Sequence, residues 1–309
     1  MQTIESKPDK WQYVIGPYSK PIATVQPGEV FTIETADAFG NTVDSADVDL
    51  SEVLDPEYSN PTTGPIYVEG AEPGDTLAVT IHHIEPTRDY GVSVSGGEFG
   101  GLCPTPMTRM LNPPLPTVTM LHPIRDGMVT FSDHLPIAPI PLEPFYGTIG
   151  TSRRLDAITT EAPGSHGGNM DVPDVGIGST LYLPVKVPGA LLFVGDGHAA
   201  QGDGEVCGSA VEIPTRGTLS VDLIKGQSID TPRLETDDFL MTVGNARPME
   251  DAARIAYYEL VMWLEADYGI DRMTGYRLCS FVGQVRLGNM VDPLYSVGAK
   301  FPKKYLPGT

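Results

Sequence analysis

A Pro-Gly pair stands between two short apolar runs at three places in this chain: Pro27-Gly28, Pro73-Gly74 and Pro188-Gly189. Proline presets the φ that opens a tight turn, and glycine accepts the positive φ that closes one, so each pair makes the chain corner sharply. Short runs joined by such corners read as strands. From Ile22 to Asn41, IATVQPGEVFTIETADAFGN is strand, turn, strand; GPIYVEGAEPGDTLAVTIHHIEP, from Gly64 to Pro86, repeats the grammar, and GSTLYLPVKVPGALLFVGDGH, residues 178–198, repeats it again. The 34 glycines and 29 prolines are spread along the chain, which argues for many short strands and tight loops over a disordered linker.

The expectation is therefore a mainly β protein in three parts. Residues 1–140 read as a β-sandwich, with Tyr90 to Leu135 as long connections crossing it and Pro136 to Gly150 too proline-dense for a central strand. Residues 141–215 read as a β-barrel-like part or second sheet that carries the loop GDGHAAQGDGE on its rim. Residues 216–309 read as an α+β unit with one long helix. Pro248 can open that helix, Glu250 and Asp251 suit its first turn, and Gly269 stops it. Its apolar stripe is expected on Ile255, Tyr258, Met262 and Ala266, broadened by Leu260, Val261 and Leu264. The flanking stretches Gln227 to Met241 and Met273 to Val291 contain strand-like runs.

Acidic residues outnumber basic ones by 40 to 20, a balance that repels phosphate backbones and excludes general nucleic-acid binding. Cys103, Cys207 and Cys279 are an odd, widely spaced set that fits a reducing compartment. The N-terminus lacks a signal-like apolar run and no later stretch approaches a membrane span, so the cytoplasm is expected.

The chemistry concentrates in LLFVGDGHAAQGDGEVCGSAVE, from Leu191 to Glu212. Its glycines would each cost a helix about 1 kcal/mol, so it reads as a buried strand, Leu191 to Val194, a polar loop, and a second strand, Val206 to Ile213. If the chain stays extended past Val194, Asp196 and His198 face the same way, as metal ligands or as a turn carboxylate bonded to a strand histidine. A third ligand would come from PGSHGGNMDVPDVG, residues 163–176, with Asp171 ahead of His166. Glu205 can exchange a proton beside a metal or be a rim carboxylate in solvent. Asp37, Glu34 and Asp203 are further candidates for the pocket, and of His82 and His83 at most one can share it. Cys207, in acidic surroundings, reads as a small buried core thiol rather than a nucleophile. Neither a P-loop nor a GxSxG elbow is present.

The block VGDGHAAQGDGEVCGSAVE, with PGSHGGNMD before it and TGPIYVEGAEPGDTLAV in the first third, resembles the acetamidase/formamidase family. The resemblance implies an all-β N-terminal sandwich, a barrel-like middle and an α+β end, and hydrolysis of formamide- or acetamide-like substrates to ammonia and a carboxylic acid. It further implies a divalent metal, zinc foremost and calcium allowed at a second site, in a homo-oligomer. Carried onto this chain, the ligands would be Asp196, His198 and Asp171, with Glu205 as proton shuttle. The alternatives are hydrolysis of a urea-like or cyclic C–N bond at the same site, or a small-ligand binding protein with a structural metal.

Overall fold

The computed structural model describes residues 1–97, 99–103, 115–132 and 134–308. Among them, a nine-stranded sheet runs in the order Gln2–Ile4, Val30–Thr35, Thr215–Ile224, Thr76–Pro86, Thr180–Pro184, Arg233–Glu235, Phe239–Ala246, Tyr295–Pro302 and Gln284–Leu287. A ten-stranded sheet faces it. Its centre runs through Tyr90–Gly97, Glu212–Ile213, Leu192–His198, Phe145–Thr151 and Gly167–Asn169, with Thr62–Val68 and Ala23–Val25 joining beside Leu192–His198. Phe31, Ile33, Leu77, Val79 and Leu219 of the first sheet share one buried cluster with Ile66, Val68, Ile149, Leu192 and Val194 of the second. Each such side chain contributes roughly 1.5–3 kcal/mol when fully buried, and it is the interleaving of two inner faces that makes the sandwich.

All three Pro-Gly corners do the same thing: they carry the chain from one sheet to the other. Ala23–Val25 and Val30–Thr35 lie in different sheets, as do Thr62–Val68 and Thr76–Pro86, and Thr180–Pro184 and Leu192–His198. Gly28, Gly74 and Gly189 adopt φ of 80°, 101° and 76°, which side-chain-bearing residues rarely accept.

The nine-stranded sheet takes strands from each of the segments 1–140, 141–215 and 216–309. Neither sheet closes on itself among the described residues, so the barrel-like middle part is corrected: its strands are built into the two faces of the sandwich. Two further expectations change. Within 90–135 the strands Tyr90–Gly97 and Leu115–Arg125 pair antiparallel, instead of forming irregular crossings; residues 98, 104–114 and 133 of that stretch lie outside the described set. Phe145–Thr151 is a wholly buried central strand, because the proline run ends at Pro144, one residue before the strand begins.

The long helix spans Met249–Tyr268, with Pro248 just outside it and Gly269 capping it in the left-handed conformation. It packs against the nine-stranded sheet on a stripe that keeps the expected Leu260, Val261 and Leu264 but is rotated away from Tyr258 and Ala266. Ala252, Ala256, Leu260 and Leu264 are buried, whereas Tyr258 and Ala266 are exposed. The reason is close approach: a Cβ on Gly244 would sit 2.0 Å from the Ala252 carbonyl oxygen, so small residues must line the contact. The strand-like run after Met273 is in fact largely a second helix, Arg272–Val282, whose first amides are accepted by the Asp271 side chain. Among the described residues, no helix is long and apolar enough to cross a membrane.

Candidate active site

Leu192–His198 is buried throughout and runs four residues further than expected, so Asp196 and His198 belong to the strand itself. On one side it pairs with Phe145–Thr151 and on the other His198 is directly opposite Glu212. Cross-strand partners project to the same face. His198 Nε2 accordingly lies 3.0 Å from Glu212 Oε2 and 3.2 Å from Asp196 Oδ1. Of the expected second strand Val206 to Ile213, only Glu212–Ile213 is extended, and the rest is loop.

Asp171 arrives from a different element. It follows the strand Gly167–Asn169, and the amides of Met170 and Asp171 both donate to the Gly147 carbonyl, at 3.0 and 3.2 Å. Gly147 is also what leaves the site its room. A Cβ there would lie 2.4 Å from Asp196 Oδ2 and 2.5 Å from Asp171 Oδ1. Ligand atoms of Asp171, Asp196 and His198 all fall within 4.8 Å of one another, and a second set, His198, Glu205 and Glu212, meets the same limit. Asp171, Asp196 and Glu205 have φ of 50°, 55° and 48°, so three acids of the cluster sit in the left-handed region, a conformation the surrounding contacts must hold.

Those contacts reach into the C-terminal third. Asn289 Nδ2 donates to Asp171 Oδ2 at 3.2 Å, and Asn169 Nδ2 donates to Asp292 Oδ2 at 2.9 Å. The Glu205 turn is tied to the same segment: Gly204 donates to the Leu287 carbonyl, and Met290 donates to the Gly204 carbonyl. Gln201 fixes the histidine. Its Nε2 donates to the Asp171 and Gly288 carbonyls, at 2.8 and 3.0 Å, which leaves Oε1 to accept from His198 Nδ1 at 2.9 Å. The Nδ1 proton is thereby assigned. Nε2 faces the carboxylates either as a protonated donor or as a lone pair turned toward a shared cation.

Five carboxyl groups, those of Asp171, Asp196, Glu205, Glu212 and Asp292, are buried here, and among the described residues no Lys or Arg ion pair reaches them. Burial, then the charge of Asp196, pushes Asp171 up to about 7. Burial likewise raises Glu212 to about 7 against the opposing pull of His198. Burial, followed by the charge of Asp171, holds both Glu205 and Asp292 well above the usual carboxylate range. Burial works to raise Asp196 too, but His198 keeps it low. Burial opposes charge on His198, yet Glu212 and Asp196 raise it well above an ordinary histidine. Among the described residues Asp171 Oδ1 is buried without a hydrogen-bond donor, and buried Glu212 Oε2 faces His198 Nε2 at 3.0 Å. A divalent cation would relieve the repulsion and engage these atoms, so the donor set fits one.

The structure thus brings Asp171, Asp196, His198 and Glu205 together and keeps the other candidates out. His166 is buried outside this cluster, and among the described residues neither of its ring nitrogens is hydrogen-bonded. Asp37 is ion-paired with Arg88 at 2.6 Å, Asp203 with Arg286, and Glu34 with Arg216. His82 and His83 are both exposed. Cys207 is corrected: it is exposed and lines the pocket, because the segment expected to bury it as a strand is a loop. Glu212, Asp292, Asn289 and Gln201 are site residues the sequence reading did not single out. Glu212 carried a signal, an acid between Val211 and Ile213 in a run expected to be strand; Asn289 and Asp292 carried none.

A sequence model of the Acetamidase/Formamidase family matches residues 9–156 and 152–293. An acetamidase of Mycolicibacterium smegmatis is 32% identical over 288 residues, covering 74% of this chain and 68% of that protein. A formamidase of Methylophilus methylotrophus is 31% identical over 257 residues, covering 66% of this chain and 61% of that protein. The solved structure of an acetamidase from Yersinia enterocolitica is 43% identical with a TM-score of 0.94, covering 98% of this chain and 92% of that one.

Proposed function

The chain belongs to the acetamidase/formamidase family, and on that premise we propose that it hydrolyses short linear amides to ammonia and a carboxylic acid, with a divalent metal, zinc foremost, held by Asp171, Asp196 and His198. The observation that carries the proposal is the meeting of those three side chains, from two separate loops and strands, within 4.8 Å. When bound, such an ion polarises a carbonyl and makes water more acidic.

The chain's own residues supply the rest. Gln201 holds the proton of His198 on Nδ1 and so keeps Nε2 directed at the ligand carboxylates. Asn289 steadies Asp171 through Oδ2, leaving Oδ1 for the ion. Glu205, held above the usual carboxylate range by burial and then by the charge of Asp171, is placed to move protons: it takes one from water as the carbonyl is attacked and gives it to the departing nitrogen. Glu212, bonded through Oε1 to the Ala210 amide at 2.8 Å, orients His198. The proposal extends to a homo-oligomer of the cytoplasm, supported by exposed Tyr276 and Phe281 on the C-terminal helix and by three unpaired cysteines.

Ammonia release from formamide, acetamide, urea and a cyclic amide, with and without a chelator, tests this reading. Chelator-sensitive release from the two linear amides supports it. Preference for urea or the cyclic amide would move the substrate class, and absence of release from all four would favour a binding protein with a structural metal.

A further inference from the structure

The pocket that opens on the acid cluster is much larger than the small amides its chemistry suits. It has a volume of about 960 Å³, and its lining includes Asp196, Glu205, Glu212 and Asp292. Pockets of roughly 300–1,000 Å³ hold ligands of drug size, whereas acetamide has only a few non-hydrogen atoms.

The rest of the wall combines polar side chains, among them Asp49, Asn60 and Glu161, with a group of apolar ones. Phe39, Leu50, Leu54 and Val94 line it. They are not loose loop residues, because they pack in one cluster with buried Val43 and Val92 and with Tyr90 and Leu121. A wall backed this way keeps its shape and offers carbon surface to whatever enters.

The two kinds of lining also sort the two parts of an amide. An unsubstituted NH₂ carries donors that need acceptors, and the carboxyl groups of Glu205, Glu212 and Asp292 supply them. Phe39, Leu50, Leu54 and Val94 supply none themselves, so their contact favours carbon over an NH₂. We infer that the preferred substrates are primary amides whose acyl group is a medium-length alkyl chain or an aromatic ring, seated against Phe39, Leu50, Leu54 and Val94 while the amide nitrogen faces the acid cluster. The reaction is unchanged in kind: water adds to the carbonyl carbon, the C–N bond breaks, and ammonia and the longer carboxylic acid leave. This inference rests on the amide-hydrolase reading above.

The test is ammonia release by the metal-loaded, full-length protein from formamide, acetamide, butyramide, hexanamide and benzamide. The expected result is kcat/KM rising about four-fold per added methylene, the factor that burying one CH₂ gives, and carried mainly by KM. A Leu54→Asn variant should cut the hexanamide-to-formamide ratio at least ten-fold. That ratio is taken within one sample, so any loss of folded protein cancels. If formamide and acetamide are hydrolysed but kcat/KM is flat or falls with chain length, the inference is overturned and the amidase reading stands. If no amide releases ammonia, the amidase reading falls and takes this inference with it. A normal chain-length slope that Leu54→Asn leaves untouched overturns the assignment of the apolar wall.

Discussion

Gln201 Oε1 lies 2.9 Å from His198 Nδ1, and the two donors of the same amide are spent on the carbonyls of Asp171 and Gly288. The glutamine therefore ties a proposed ligand imidazole to the backbone of a proposed ligand carboxylate. Such outer partners typically govern metal affinity by 10–100-fold. A Gln201→Leu variant should stay folded and bind divalent metal at least ten-fold more weakly in a chelator competition. Unchanged affinity would show that the bond orients nothing of consequence.

Gly147 offers a test of a different kind. An added methyl would lie within 2.5 Å of both Asp196 Oδ2 and Asp171 Oδ1, where no real contact exists. Gly147→Ala should spread the two carboxylates and abolish metal retention, with a stability cost of about 1–3 kcal/mol from overpacking. Metal analysis alongside a thermal melt checks both. A variant that keeps its metal would mean that the carboxylates do not meet over this glycine.

His166 sets a pH limit on stability. Burial, with a smaller contribution from Arg153, lowers it to about 4, so the folded protein keeps it neutral while the unfolded chain protonates it near 6.5. The unfolded state thus binds more protons between those values, and stability is lost as pH falls from about 6.5 to about 4, by on the order of 3 kcal/mol in all. Above 6.5 both states are neutral and the effect is absent. Denaturant midpoints measured from pH 7 to pH 4 should fall less in His166→Gln than in the unaltered protein. Parallel curves would remove His166 as the cause.

The sandwich was legible because its signal is local. Pro27-Gly28, Pro73-Gly74 and Pro188-Gly189 announce sharp corners, although only the three-dimensional path reveals that each one changes sheet. Asp196 and His198 were legible as near neighbours at the end of a buried strand, although Asp196 itself departs from extended backbone with a φ of 55°. Asp171 could be nominated from its glycine-flanked loop but not distinguished from His166 by spacing alone. Glu212 was hidden by register: it reaches His198 only because those two positions are paired across strands. Asn289 and Asp292 were hidden by distance, being brought to Asp171 and Asn169 from about 120 residues away. The helix stripe was legible at Leu260, Val261 and Leu264 but misplaced at Tyr258, because hydrophobic spacing ranks Tyr258 above Ala256 while the tight contact at Gly244 selects for smallness.

The central claim is that the buried acids and His198 hold an ion and that Glu205 moves protons beside it without being needed to retain it. Metal content measured together with ammonia release in Glu205→Gln tests this most directly. The expected result is a metal content equal to that of the unaltered protein with turnover reduced by 10²–10⁴-fold, the range of a lost general acid–base group. Full turnover in Glu205→Gln, or an unaltered protein that hydrolyses amides with no metal bound, would contradict the account.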